Sequence, residues 1–523
     1  MIMRRLVLAP RWLQFFIVVL VVFGIFFRFV NLDGKVYSPG ETNTLLRISG
    51  YTNNEVKQQL FNNRLITKQA FDKFQRLNPE KNFGDTIKSL AIDSPLNSPF
   101  YYLLARFWSQ IFGDSITAIR TFSAVISLFV FPCIYWLCRE LFNVPLSLPG
   151  IAIALLSISP MQILYAQEAQ EYILWQVTIL LSSAALLRAL RLESIQQTDE
   201  KRIFNWGFYT FTLSLSLYTL SLSIFLVVAH IFYVIATAKF HANKTVQFFL
   251  GSTLIGSLIF MPWILVIFYN QFRFNGYHNA INQNFSLLNL IIDCLTQTNR
   301  IFVDLNFNDA NPLYLIIFTL LIFSLVGYAI YWLWRTNYQK TWLFVTSLMT
   351  IGTIPLLILG LQLYLIPYYL AIQIAVAYLL ATQLYNGRIL RQKTWQFMLV
   401  MLIIVALFSD TLYSQSNTSW IKFSNNDYIN IAKIVNRNYR SILIINYQDN
   451  SYENIFALSY LIDPKVRFLL FRESNIPKIS KKLNNVFLLN YSDKLRQEIA
   501  KKYRFNTKMI YQSKYSSLWK LSK

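Results

Sequence analysis

Apolar runs of roughly 20 residues, the length a helix needs to cross ~30 Å of hydrocarbon, recur through the first four-fifths of the chain. They include residues 12–30, 117–137, 147–164 and 173–187 and continue to the neighbourhood of Asp410. Within a bilayer only a helix or a closed barrel satisfies its own backbone groups, and runs of this length predict helices. Basic residues fill alternate connections: Arg4, Arg5 and Arg11; Arg139; Arg188, Arg191, Lys201 and Arg202; Lys239 and Lys244; Arg335 and Lys340; Arg388, Arg391 and Lys393. The positive-inside rule puts these connections in the cytoplasm, and a loop longer than about 60 residues, such as 31–113, escapes that rule. The opposite connections (31–113, 165–172, 218–222, 271–312 and a turn near Gln362) and the tail after Asp410 then lie outside. This pattern predicts about eleven spans with a cytoplasmic N-terminus.

Two stretches depart from the spanning pattern. In the first outer loop, residues 53–61 and 67–74 have polar, helix-compatible patterns, and PFYYLLARFWSQIF at 99–112 is aromatic and amphipathic, which fits short helices lying along the outer interface. In the tail, 441–447, 466–471 and 485–490 read as strands and 493–503 as a helix. The expected fold is therefore an all-α polytopic membrane protein of the helical class, with a small extracytoplasmic C-terminal α/β domain. The expected boundaries are 1–413 for the transmembrane domain, including loop 31–113, and 414–523 for the α/β domain. No internal repeat is visible, which argues against a transporter of duplicated halves.

Composition agrees: 55% of the 523 residues are hydrophobic and the mean hydropathy is +0.38. The first apolar run is too long for a secretory signal and lacks a small-residue cleavage site, so it reads as a retained helix. The net charge of +23 first suggests nucleic acid, yet after Asp410 alone Lys and Arg outnumber Asp and Glu by 19 to 7. Anionic headgroups or lipid-linked phosphates are the better partners, and no nucleic acid is expected. Cys133 and Cys138 fall in a span and Cys294 in a loop, with no disulfide framework or metal-ligand spacing. His230 stands alone in mid-span, where packing or a backbone hydrogen bond outweighs proton relay.

Four polar strings share the outer face: YSPGETNTLLRISGYT (37–52), IDSPLNSPFYYLLARFW (92–108), LYAQEAQEYILW (164–175) and LQLYLIPYYLAIQIAVAYLL (361–380). In this order they resemble the GT-C membrane glycosyltransferases, specifically the dolichyl-phosphate-mannose-protein mannosyltransferase-like group with its ArnT-like and RgtA/B/C/D-like bacterial relatives. The resemblance covers about four-fifths of the chain. It implies a sugar on a polyprenyl phosphate as donor, a lipid or glycan as acceptor, reaction at the extracytoplasmic face of the plasma (inner) membrane, and a loop carboxylate as general base. It names no certain cofactor and leaves a divalent metal open.

Carried over position by position, the resemblance makes Glu41 the catalytic candidate. Asp93, Asn97, Tyr101, Tyr102, Arg106, Arg120, Gln167, Glu168, Glu171 and Tyr364 are the substrate-binding candidates. The strings also depart from the family. Its Tyr-Trp-x-Asp-Glu reads Tyr37, Ser38, Pro39, Gly40, Glu41; the His of its His-Pro-Pro-Leu-Tyr-Tyr is Asn97; the Arg of its Gln-Glu-Ala-Arg-Glu-Tyr is Gln170; the Arg of Arg-Tyr-Leu is Leu363. Four chargeable positions are neutral, which keeps a second reading open, a catalytically reduced relative that binds lipid-linked glycan or a partner enzyme. Plain structural roles also stand beside each residue. Glu41 can cap a helix beginning near Asn43, Glu168 and Glu171 can favour a helix N-terminus, Arg106 and Arg120 can snorkel, Asp93 and Asn97 can form a turn, and the tyrosines can belong to an interfacial belt. Asp33 or Asp93 are the alternative carboxylates.

Overall fold

The structure is a computed structural model that describes residues 11–522 apart from 143–146, 194, 196–197, 240, 242, 272–286, 305–311, 337–338, 360–364, 385–388, 447–451, 472–484 and 514–515. The chain divides into two compact units. The first comprises Met1–Leu32, Pro95–Tyr101 and Arg120–Gln415; the second comprises Asp33–Ser94, Tyr102–Ile119 and Ser416–Lys523.

The first unit is helical. Among the described residues seven helices are long and apolar enough to cross a membrane: Arg11–Phe29, Ile116–Leu141, Tyr172–Glu193, Lys244–Asn270, Ile316–Arg335, Ile366–Gln383 and Ile389–Lys422. An eighth span is formed if Ser147–Ser157 and Pro160–Ala166, bent by 65°, are counted as one. Three other expected spans are helical but shorter or less apolar: Asp199–Thr219, Ser223–Thr237 and Gln339–Gly352. Apolar faces on the outer helices stay exposed, as at Phe15, Leu254, Leu265 and Leu320, which suits contact with lipid; Ile366–Gln383 is buried along nearly its whole length.

With no aqueous contrast to drive helices together, small residues and hydroxyls set the contacts. Thr210 and Ser214 donate to the carbonyls of Ser252 and Gly256, both at 3.2 Å. His230 bonds Ser183 Oγ and Tyr209 OH, again both at 3.2 Å, so side-chain hydroxyls rather than a backbone group hold it. Cys294 lies in the Leu287–Arg300 helix and not in a loop.

Among the described residues, the second unit is built on a six-stranded sheet: β1 (Leu65–Ile66), β2 (Ile442–Asn446), β3 (Arg467–Phe471), β4 (Val486–Leu489), β5 (Asn506–Gln512) and β6 (Ser517–Ser522), in the order β1-β3-β2-β4-β6-β5. The central strands β3, β2 and β4 are parallel. Their near-continuous apolar runs suit a sheet buried on both faces. Leu443, Phe468, Leu470 and Phe487 face one core; Ile444, Leu469 and Leu488 face the other, with Leu495 and Ile499 of the Asp493–Tyr503 helix.

The first of these cores draws on both ends of the sequence. Val56 and Leu60 of Asn53–Leu60, and Phe71 and Phe74 of Gln69–Gln75, pack with Ile431, Ile455 and Phe456. The expected boundary differs here, because 33–94 shares a unit with the tail rather than with the spans. The apolar sides of Asn53–Leu60 and Gln69–Gln75 pack in this core instead of lying free at an interface, whereas Phe107, Ile111 and Phe112 of Pro99–Phe112 stay exposed.

Candidate functional site

In the second unit, Pro39 opens the Pro39–Ser49 helix at its first position and Ser38 caps it. The cap is reciprocal: the Glu41 N–H donates to Ser38 Oγ and the Ser38 N–H donates to Glu41 Oε2, both at 3.1 Å. This is the capping box that a Ser-x-x-Glu spacing encodes. The helix begins at Pro39, four residues before the start expected near Asn43, so Glu41 lies inside its first turn and shares the cap with Ser38 instead of preceding the helix, and the carboxylate is fully buried, not exposed. Lys422 Nζ lies 3.1 Å from the same Oε2, and neither side chain has any exposed surface.

Asp93 is engaged in the same unit. Its Oδ2 lies 2.5 Å from Arg47 Nη1 and accepts the Asn53 N–H at 2.8 Å. Arg47, on the last turn of the Pro39–Ser49 helix, also donates to the Ser89 carbonyl at 3.0 Å and to Asn53 Oδ1. Arg106 projects from Pro99–Phe112 and donates to the carbonyls of Ile48 and Lys81 and to Thr86 Oγ1. Burial pulls its pKa below the usual range while Asp85 opposes the fall. Tyr102 is buried, and Asp33 is exposed.

The remaining described candidates belong to the first unit. Asn97 sits in the turn before Pro99–Phe112, a turn held by Trp263 Nε1 on the Pro95 carbonyl and Ser221 Oγ on the Leu96 carbonyl. Tyr101 OH is 3.1 Å from Ser123 Oγ. Arg120 donates to the Leu32 carbonyl at 2.6 Å. Gln167 ends the Pro160–Ala166 helix and donates to the carbonyls of Phe27 and Val30, the unpaired end of the first span. Glu168 and Glu171, both buried, occupy the bend before Tyr172–Glu193, where a carboxylate favours the helix N-terminus. Tyr364 lies outside the described residues.

Other charged groups escaped the sequence reading. Arg28, fully buried in the first span, donates to the carbonyls of Gly24, Leu156 and Ser157 at 2.8, 3.0 and 2.6 Å. The last two belong to the break in the bent span. Asp410, fully buried in the last span, neighbours Arg28 electrostatically. Arg300 lies 3.8 Å from Asp304, its pKa lowered by burial. A charge inside an apolar run was the available signal for Arg28 and Asp410. Nothing local marked Lys422, which lies in the short Trp420–Asn425 turn after the Ile389–Gln415 helix. Among the described residues no three His, Cys, Asp or Glu side chains gather closely enough to hold a metal ion, and no residue is assigned to one.

Residues 93–266 match the family model described as dolichyl-phosphate-mannose-protein mannosyltransferase. No curated protein sequence matches the chain. ArnT from Cupriavidus metallidurans, solved bound to undecaprenyl phosphate, is similar at TM-score 0.53 and 12% identity, covering 97% of this chain and 98% of its own. The Archaeoglobus fulgidus oligosaccharyltransferase tethered with an acceptor peptide is similar at 0.53 and 10% identity, covering 96% and 69%. The same archaeon's AglB, in complex with an inhibitory peptide and a dolichol-phosphate, is similar at 0.51 and 12% identity, covering 87% and 64%. The chain has the GT-C glycosyltransferase fold, and its apolar helices place it in a membrane.

Proposed function

We propose that the chain is a membrane glycosyltransferase that moves a sugar from a polyprenyl-phosphate donor to a lipid or glycan acceptor at the extracytoplasmic face of the plasma membrane. The observation that carries this reading is likeness to the GT-C fold over nearly the whole chain, including one relative solved with undecaprenyl phosphate. A donor anchored in lipid reacts at the membrane boundary, and an inverting transfer there needs a base and a cation. Glu41 takes the acceptor hydroxyl proton as the acceptor oxygen bonds to the anomeric carbon. The bond from that carbon to the phosphate oxygen breaks, and polyprenyl phosphate leaves with the electron pair. Lys422, already beside Glu41, offsets the charge on the departing phosphate. For this to happen Glu41 exchanges its bonds to Ser38 and Lys422 for the acceptor.

A specific observation favours a second reading. The Glu41 carboxylate is wholly buried, engaged in the cap and the ion pair, and four family positions that carry chargeable side chains are neutral in this chain. A relative that binds lipid-linked glycan without turnover fits both facts. Incubating the purified protein in nanodiscs with radiolabelled polyprenyl-phosphate sugars and membrane extract separates the two. Transfer that falls at least about 100-fold in Glu41→Gln supports the enzyme. Donor binding without transfer across the panel supports the binding protein, and neither transfer nor binding removes both.

The orientation has its own check. With Cys133, Cys138 and Cys294 replaced, a cysteine at Asp199 is expected to label only from the cytoplasm and one at Arg504 only from outside. The opposite pattern overturns the topology.

A further inference from the structure

We propose that one end of the six-stranded sheet is a binding surface for an acidic polysaccharide. The register defines that end. Ile442 pairs with Arg467 and Val486, Val486 with Leu521, and Leu521 with Thr507. The starts of β2, β3, β4 and β5 therefore line up with the finish of β6. The connecting helices run the other way, so their C-termini arrive at the same end.

Basic residues from four separate segments meet there. Arg437 and Arg440 precede β2, Lys465 and Arg467 lie at the start of β3, Lys501, Lys502 and Arg504 precede β5, and Lys520 lies on β6. All except Lys520 are exposed. Acidic residues sort to the helix starts at the opposite end, as with Asp427, Glu453 and Asp493. Near the basic end, Asp463 is already bound to Lys465 at 3.1 Å and Asp72 lies beside Lys68. Helix macrodipoles account for part of this sorting, namely the acids and Arg437, Lys501 and Lys502. They do not account for Arg440, Lys465, Arg467 and Arg504, which lie beyond the helix ends.

The turns that display these charges are pinned by side chains. Asn436 Nδ2 donates to the Leu461 carbonyl and its Oδ1 accepts the Asp463 N–H, both at 3.0 Å, tying the turn before β2 to the turn before β3. Asn485 Nδ2 donates to the Tyr439 carbonyl at 2.9 Å. Ser441 Oγ donates to the carbonyls of Val435 and Asn438, both at 2.9 Å. Charges on fixed backbone lose less entropy when a ligand orders them than charges on a loose tail. Tyr439, 72% exposed, stands among them with the Arg440 guanidinium 5.1 Å over its ring, an aromatic body with a polar tip suited to a sugar.

A bilayer surface is the poorer match. The bases come from several turns rather than from one face of an amphipathic helix whose apolar side could insert. The proposal supplies the acceptor class for the reaction above and rests on that reading only for that step, because binding is measured without turnover.

The test uses the full-length protein in nanodiscs of zwitterionic lipid, titrated with polygalacturonate, with neutral dextran and with anionic phospholipid vesicles. Saturable polygalacturonate binding is expected, weakening at least about tenfold from ~50 to ~200 mM salt as counterions compete, with no binding to dextran. R437Q/R440Q/K465Q/R467Q is expected to lose at least about tenfold in affinity, whereas R437K/R440K/R467K stays within about threefold of the parent. Apparent Tm verifies folding, and the single variants R440Q and R467Q serve if the quadruple variant does not fold. No polygalacturonate binding, an unaffected quadruple variant, a lysine variant as weak as the glutamine one, or tighter binding to the vesicles would each overturn the proposal. Binding without any sugar transfer leaves this surface standing and removes only the enzymatic reading.

Discussion

Glu41 illustrates what can and cannot be read at the scale of a residue. Ser38 and Glu41 have the three-residue spacing of a capping box, although the expectation of a helix beginning near Asn43 puts Glu41 itself at the cap. The partner that neutralises the carboxylate, Lys422, stands near the other end of the chain and has no local signature. Arg47 is the same kind of case. It reads as an ordinary basic residue near a helix end, yet it is buried against Asp93, Asn53 and the Ser89 carbonyl. Arg47→Met strands a largely buried carboxylate, so a loss of about 3 kcal/mol is expected, visible as a lower apparent Tm in detergent. An unchanged Tm would show that Asp93 does not depend on the pair.

Glu55 carries a pH dependence with a definite sign. Burial raises its pKa, but the hydrogen bonds from Lys81 and from the Thr52 amide and hydroxyl outweigh that effect and hold it below the ordinary carboxylate value. A depressed carboxylate contributes stability above its unfolded pKa and loses it as pH falls through the folded value. The Tm difference between the parent and Glu55→Gln is therefore expected near neutrality and to close below about pH 4. The effect is small, because the Glu55 side chain is 37% exposed and solvent screens the pair.

At the scale of elements, strongly patterned segments were legible. The Pro99–Phe112 and Asp493–Tyr503 helices fall where their patterns put them, and β2, β3 and β4 lie within the runs expected to be strands. β1 was not legible, because its two residues become a strand only by pairing with β3. β5 lies at the sheet margin with a largely exposed, mixed sequence, so no alternation marks it. The break between Ser157 and Pro160 was also unexpected as a break, and Gly24 explains how the first span accommodates it. A Cβ on Gly24 would collide with the Ser157 carbonyl oxygen, which cannot withdraw as a side chain could. Gly24→Ala is therefore expected to push the first span off the break, loosen Arg28 from the Leu156 and Ser157 carbonyls, and cost about 2 kcal/mol. A Gly24→Ala protein with the parent's expression and Tm would show that the contact relaxes freely.

For the whole molecule, the joint core of the first loop and the tail makes a prediction about truncation. Removing 416–523 takes away the sheet on which Val56, Leu60, Phe71 and Phe74 pack. The loop helices, of eight and seven residues, are too short to persist alone in water. Limited proteolysis is expected to cut within residues 53–75 of the truncated chain and to spare them in the full one. Equal resistance in both would mean that the loop holds its own fold.

The amino-acid string by itself determined the membrane class, the order of apolar helices and the α/β character of the tail, because each is written in periodicity or length. Only the tertiary structure decided that the loop after the first span shares a core with the tail, that Lys422 meets Glu41, and that Arg28 secures a broken helix. Those outcomes depend on which distant groups can satisfy a buried charge, a bare carbonyl or an apolar face, and that choice is made by packing in three dimensions.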